Sequence, residues 1–171
     1  PGSPGPTRPG RDRLIPTSSH WTRGVAYFLP GLSAVTGDEE LLATALKGAS
    51  DLLSVARTDD DTCAVFHHEP DGLHLYPLGW CHGPTGLARL FHRLAPTTGD
   101  TTWSDWRERC ARTVRSSAIP ETKHPGSWYN VAECGGSTAA AESFLDLHLA
   151  SCDLDHLVLG PKMSYAAVRH E

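Results

Sequence analysis

The sequence predicts an all-α protein of tandem helical hairpins with one small β-hairpin. Two observations carry this. A fifteen-residue segment recurs along the chain, and each copy places its apolar residues at helical spacing. Gly24 to Asp38 reads GVAYFLPGLSAVTGD and Gly86 to Asp100 reads GLARLFHRLAPTTGD. They share the opening Gly, Ala at the third place, Leu at the ninth and a closing Thr-Gly-Asp. A fainter third copy, Ala139 to Asp153, keeps Ala141, Leu147 and Asp153 in register, with Ser151-Cys152 in place of Thr-Gly. Repeats of this length built from helix pairs stack as an open solenoid or close into an α/α toroid.

Within the copies, Leu87, Leu90, Phe91 and Leu94 form one helical face, and the Gly-Asp that follows suits a helix stop and a new N-cap. A second helix follows each copy. Leu41, Leu42, Ala45, Leu46, Ala49 and Leu52 line one face of the first, and Trp103, Trp106, Cys110 and Val114 line the second. The expected helices span 24–35, 39–56, 86–96, 101–117, 139–150 and 155–169. The last is expected to be poorly formed, because Gly160-Pro161 interrupts it, and Pro30 damages the first in the same way. Between the first two hairpins, Cys63 to His68 and Leu73 to Tyr76 flank Pro70-Asp71-Gly72, which predicts a two-stranded ribbon near 63–76.

Composition narrows the function classes. The 171 residues carry 15 Lys and Arg against 20 Asp and Glu, a formal charge of −5, with no long block of either sign. Nucleic acid and anionic membrane surfaces are therefore poor partners. No apolar run reaches the roughly 18 residues that a membrane span requires, and no signal-like segment opens the sequence, so the expected location is cytoplasmic. Seven of the first ten residues are Gly or Pro; residues 1–16 read as a tail, and 17–171 as the domain. Five widely spaced cysteines are an odd count in a chain too large to need staples, so disulfides are not the first reading.

The positions just upstream of each repeated helix are the most informative. His20 stands four residues before Gly24, His82 four before Gly86, and Gly135 four before Ala139; one place further back are Ser19, Cys81 and Cys134. Equivalent loops of equivalent repeats lie at one end of an array, so Cys81, His82, Cys134 and His20 can converge. Thiolate and imidazole gathered at one point suggest zinc, although the spacing matches no zinc finger.

The local context adds to this. Leu78-Gly-Trp-Cys-His-Gly-Pro-Thr-Gly86 resembles the Trp-Cys-x-Gly-x-x-Gly motif of the lanthionine synthetase C-like family. Asn130-Val-Ala-Glu-Cys-Gly-Gly136 resembles its second motif, Cys-His-Gly or Cys-Cys-Gly before a helix, and Ser19-His-Trp-Thr-Arg-Gly24 resembles its His-Gly-x-x-Gly motif. The resemblance covers residues 18 to 157. It implies part of an α/α toroid, an incomplete barrel of three hairpins, and a zinc-dependent thioether (lanthionine) cyclase acting in lanthipeptide-type peptide modification. Such enzymes add a cysteine thiol to a dehydrated Ser or Thr; the substrate is a peptide, or in relatives a small thiol. By motif, Cys81 and Cys134 carry over as zinc ligands and His20 as the proton-transferring group, with His82 facing the site.

Several positions depart from the family pattern. Gly135 stands where the third ligand follows Cys134, Trp21 replaces the Gly after the motif histidine, and Arg23 occupies a usually small position. A closed toroid also needs about twice as many hairpins, which another chain could supply. The alternative is a catalytically inactive helical-repeat protein that binds a peptide or partner. A third class, a toroidal glycoside hydrolase using Glu133 and Asp146, has no support from spacing. Cys63, Cys110 and Cys152 lie outside the register and read as structural. His67, His68, His74, His92, His124, His148 and His156 read as surface or capping residues.

Overall fold

The computed structural model describes residues 22–67, 76–122, 132 and 134–168. Among them the elements run α1 (Thr22–Thr36), α2 (Glu39–Ser54), β1 (Arg57–Thr58), β2 (Cys63–Ala64), α3 (Pro84–Thr98), α4 (Thr102–Ser116), α5 (Ser137–Ser151) and α6 (Leu154–Val168). Each odd-numbered helix packs on the even one that follows it. The odd-numbered helices also stand in a row, α1 against α3 and α3 against α5. The mostly helical expectation, with one small antiparallel sheet, holds.

The repeat register is most visible in the turn that joins each helix pair. Gly37, Gly99 and Cys152 all adopt the left-handed conformation, with φ of 75°, 70° and 56°. Their amides close the helix onto Ser33, Ala95 and His148 at 2.8, 2.9 and 2.7 Å. One residue earlier, the hydroxyls of Thr36, Thr98 and Ser151 donate to the carbonyls of Leu32, Leu94 and Leu147. The same hydroxyls accept from the amides of Asp38, Asp100 and Asp153. Each aspartate then caps the next helix, accepting from the amides of Glu40, Thr102 and Asp155 at 2.9 Å. The faint third copy is a true structural repeat. It differs in placing a Cys where the backbone favours Gly, at a cost of about 1–2 kcal/mol.

Two apolar clusters fill the array. The first joins α1, α2 and α3 with Cys63 and Val65 and with Trp103 and Cys110 of α4. The second joins Leu78, Ala111, Val114 and Ile119 with α5 and with Met163 of α6. Helix α3 is the centre, since Leu87, Leu90, Phe91 and Leu94 are all fully buried, and Phe91 stacks on Trp103 with ring centroids 5.6 Å apart. Burying each such side chain is worth about 1.5–3 kcal/mol.

Three details differ from the sequence expectation. Strand β2 pairs with β1, Arg57 opposite Ala64 and Thr58 opposite Cys63, upstream of the expected partner; residues 68–75 lie outside the described residues. Asp59 builds the intervening turn by accepting from the amides of Asp61 and Thr62, and Arg109 and Arg112 of α4 hold the turn's carbonyls. Helix α6 is continuous through Gly160-Pro161. Burial of His156 and Met163 and the close fit of Gly160 against Ala141 and Leu145 outweigh the donor that Pro161 lacks. Helix α1 likewise runs through Pro30.

Candidate functional site

The loops entering α3 and α5 are built alike. Both end on an extended glycine at the helix N-cap, Gly83 (φ −140°, ψ −175°) and Gly136 (φ −127°, ψ −163°). They meet backbone to backbone: a Cβ on Gly79 would stand 2.5 Å from the Cα of Gly135, so this contact requires glycine at position 79. The Cys81 amide donates to the Cys134 carbonyl at 2.8 Å.

Cys81 and Cys134 therefore converge, their Cα atoms 5.2 Å apart, and their sulfurs are joined as a disulfide. This corrects the sequence reading, which did not put disulfides first. An odd count does not preclude a bridge, and the repeat register brings these two residues into bonding range. Cys63, Cys110 and Cys152 are free thiols. Burial pushes the Cys110 thiol up, and its hydrogen bond to Cys63 draws that sulfur down, as befits a packed structural pair.

Helix α1 reaches the same point through Arg23. Its side chain is buried, its guanidinium donates to the Cys81 carbonyl at 3.2 Å, and it lies 4.9 Å from the Trp80 ring centroid. A Cβ on Gly86 would fall on this guanidinium and on the Trp80 carbonyl, which accounts for the glycine that opens the second copy. Burial, with a contribution from Arg89, lowers the Arg23 pKa to about 10, so it stays charged at neutral pH. Arg23 thus ties the first hairpin to the second.

His82 is half-buried, its ring centroid 4.3 Å from that of His67. His20 and Trp21 lie outside the described residues, as do Glu133, His68, His74 and His124. Asp146 is paired with Arg89 at 3.6 Å. Two soft sulfurs at one point are appropriate donors for zinc once the pair is reduced. They supply two positions of a site that normally has three protein ligands, and Gly135 adds none. Among the described residues no group of three or more His, Cys, Asp or Glu side chains is arranged to hold a metal ion. No helix among them is long and apolar enough to cross a membrane.

His156 was not legible as a core residue. It is fully buried, its Nδ1 3.2 Å from Ser151 Oγ and its Nε2 3.3 Å from Glu108 Oε2, so it ties α6 to both α5 and α4. His148 does cap a turn, through the Asp153 carbonyl at 2.8 Å. Comparison of the chain with protein-family models and with curated proteins finds no match.

Proposed function

We propose that this chain is a lanthionine synthetase C-like protein whose reduced Cys81–Cys134 pair serves thiol addition to dehydrated Ser or Thr in a peptide. The observation supporting this reading is the meeting of two motif cysteines from equivalent loops, as the repeat register and the resemblance both imply. Bound zinc would hold a substrate thiol as thiolate near neutral pH. The chain's own contribution is positional. Arg23 fixes the Cys81 carbonyl, Gly79 lets the two loops touch, and His82 directly follows Cys81 in the chain, with His20 proposed as the proton donor to the α-carbon. The apolar edges of the array, Val25, Phe28 and Val35 on α1 and Leu154, Val158 and Val168 on α6, are exposed. They are the places where hairpins from another chain would complete an α/α toroid.

A second reading is favoured by the disulfide and by Gly135: a catalytically silent repeat protein that binds a peptide or partner. One experiment separates the two. Reduced protein is titrated with zinc against a chelator, and addition of a thiol to a dehydroalanine peptide is followed in parallel. The enzyme reading expects about one zinc per chain, lost in Cys81→Ser and tightened in Gly135→His relative to Gly135→Ala. Absence of zinc binding in the reduced chain, with no gain in Gly135→His, leaves the silent reading. Tightening without thiol addition places the defect around His20 or in the missing hairpins.

A further inference from the structure

A groove of about 520 Å³ opens between α1 and α3 and is lined on its far side by Asp146 of α5. That volume lies within the range of small-ligand sites. Pro30, Ala34 and Pro96 give it an apolar lining. Its charged groups are unequally satisfied. The Arg89 fork is taken by Glu142, at 3.0 and 3.1 Å, and only its Nε reaches Asp146, at 3.6 Å.

Arg93 is held differently. Its guanidinium donates to the Tyr27 hydroxyl at 3.3 Å and lies 4.7 Å from that ring's centroid. It also packs so closely on Gly31 that a Cβ there would stand 2.7 Å from its Nη1. Among the described residues no carboxylate lies within ion-pair distance of it. A guanidinium positioned by an aromatic face and a neutral hydroxyl keeps its charge and most of its donors for a ligand, and its fork matches a carboxylate.

Asp146 is the counterpart, a carboxylate whose basic neighbour is already paired with another acid. The groove therefore offers a positive group on α3 with no acid partner and, on α5, a carboxylate that shares its one basic partner, Arg89, with Glu142. His92 lines the same groove; burial and Arg107 lower its pKa against the opposing pull of Asp146, which favours the neutral ring, and its buried Nδ1 has no hydrogen-bond partner.

We propose that this groove binds an amino acid or short peptide as its zwitterion, with the carboxylate on Arg93 beside the Tyr27 hydroxyl and the ammonium toward Asp146. A phosphate dianion is disfavoured because Asp146 lines the same space. The site is separate from the paired cysteines and does not depend on the reading of them.

The test titrates the isotopically labelled full chain with alanyl-alanine, with its N-acetyl form, which lacks the ammonium, and with its C-terminal amide, which lacks the carboxylate. The expected result is saturable amide shifts at Tyr27, Gly31 and His92 with alanyl-alanine, with Kd on the order of 1 mM. Each blocked form should bind about tenfold more weakly. Arg93→Gln should abolish the preference over the amide, and Asp146→Asn the preference over the N-acetyl form. Arg93 is exposed, so its replacement should leave the amide spectrum folded and keep the test decisive even where Asp146→Asn perturbs α5. Lack of saturation, equal binding of all three compounds, unchanged binding in Arg93→Gln, or tighter saturation of the same amides by inorganic phosphate would each overturn the proposal.

Discussion

Phe28 and Leu90 hold the same place in two repeats, yet Phe28 is 62% exposed and Leu90 is fully buried. The same holds one turn earlier, where Val25 is 51% exposed and Leu87 is buried. Helix α3 has a hairpin on each side; among the described residues α1 has one only on the side of α3. The difference lies in the neighbours, since both helices carry the same pattern. In α5 the equivalent places are filled by Ala140 and Ser143, both buried, so this helix makes the interface with small side chains.

The comparison can be broken most directly at the joint between the second and third hairpins. The Cys81–Cys134 bridge closes a loop over a sequence separation of 53 residues, and removing it as Cys81→Ser with Cys134→Ser should cost about 4 kcal/mol in a denaturant titration. A loss below about 1 kcal/mol would mean that the loops hold each other without the bond. The next effect is of comparable size but sharper. Leu90→Ala should cost about 2–5 kcal/mol, while Phe28→Ala at the equivalent place should stay within about 0.5 kcal/mol. Equal losses would show that α1's outer face is covered in solution. The smallest effect is a gain: Cys152→Gly should stabilise the third hairpin by about 1 kcal/mol, because the left-handed turn then carries the residue its two counterparts use. If thermal unfolding shows no gain, Cys152 is making a compensating contact.

The helices were legible because their apolar faces repeat and their stop signals are strong. The turn chemistry of Thr36-Gly37-Asp38 and Thr98-Gly99-Asp100 is almost spelled out, and the Ser151-Cys152-Asp153 copy follows from it. Register also placed Cys81 and Cys134 together. What it left open was the bond between them, because convergence to a few ångströms serves a disulfide or a shared ion equally well. Continuity of α6 through Pro161 was hidden because local propensity argues against it and tertiary burial decides it. Arg23 and His156 were missed for a related reason. Their burial depends on partners far along the chain, Cys81 and Trp80 for one and Glu108 and Ser151 for the other, and single-residue polarity points outward. The ribbon was displaced because its two-residue strands carry no alternation; an aspartate turn and two arginines of α4 define it.

The single cystine also changes how the three units share stability. In a row of modules that touch only adjacent modules, unfolding behaves like a one-dimensional lattice in which each site is coupled to the next, and the ends fray first. A covalent link between the second and third sites raises one coupling constant and leaves the other, which rests on Arg23 and the α1–α3 contact, unchanged. The lattice then ceases to be uniform: two sites act as one block, and the weak boundary moves to the junction with the first.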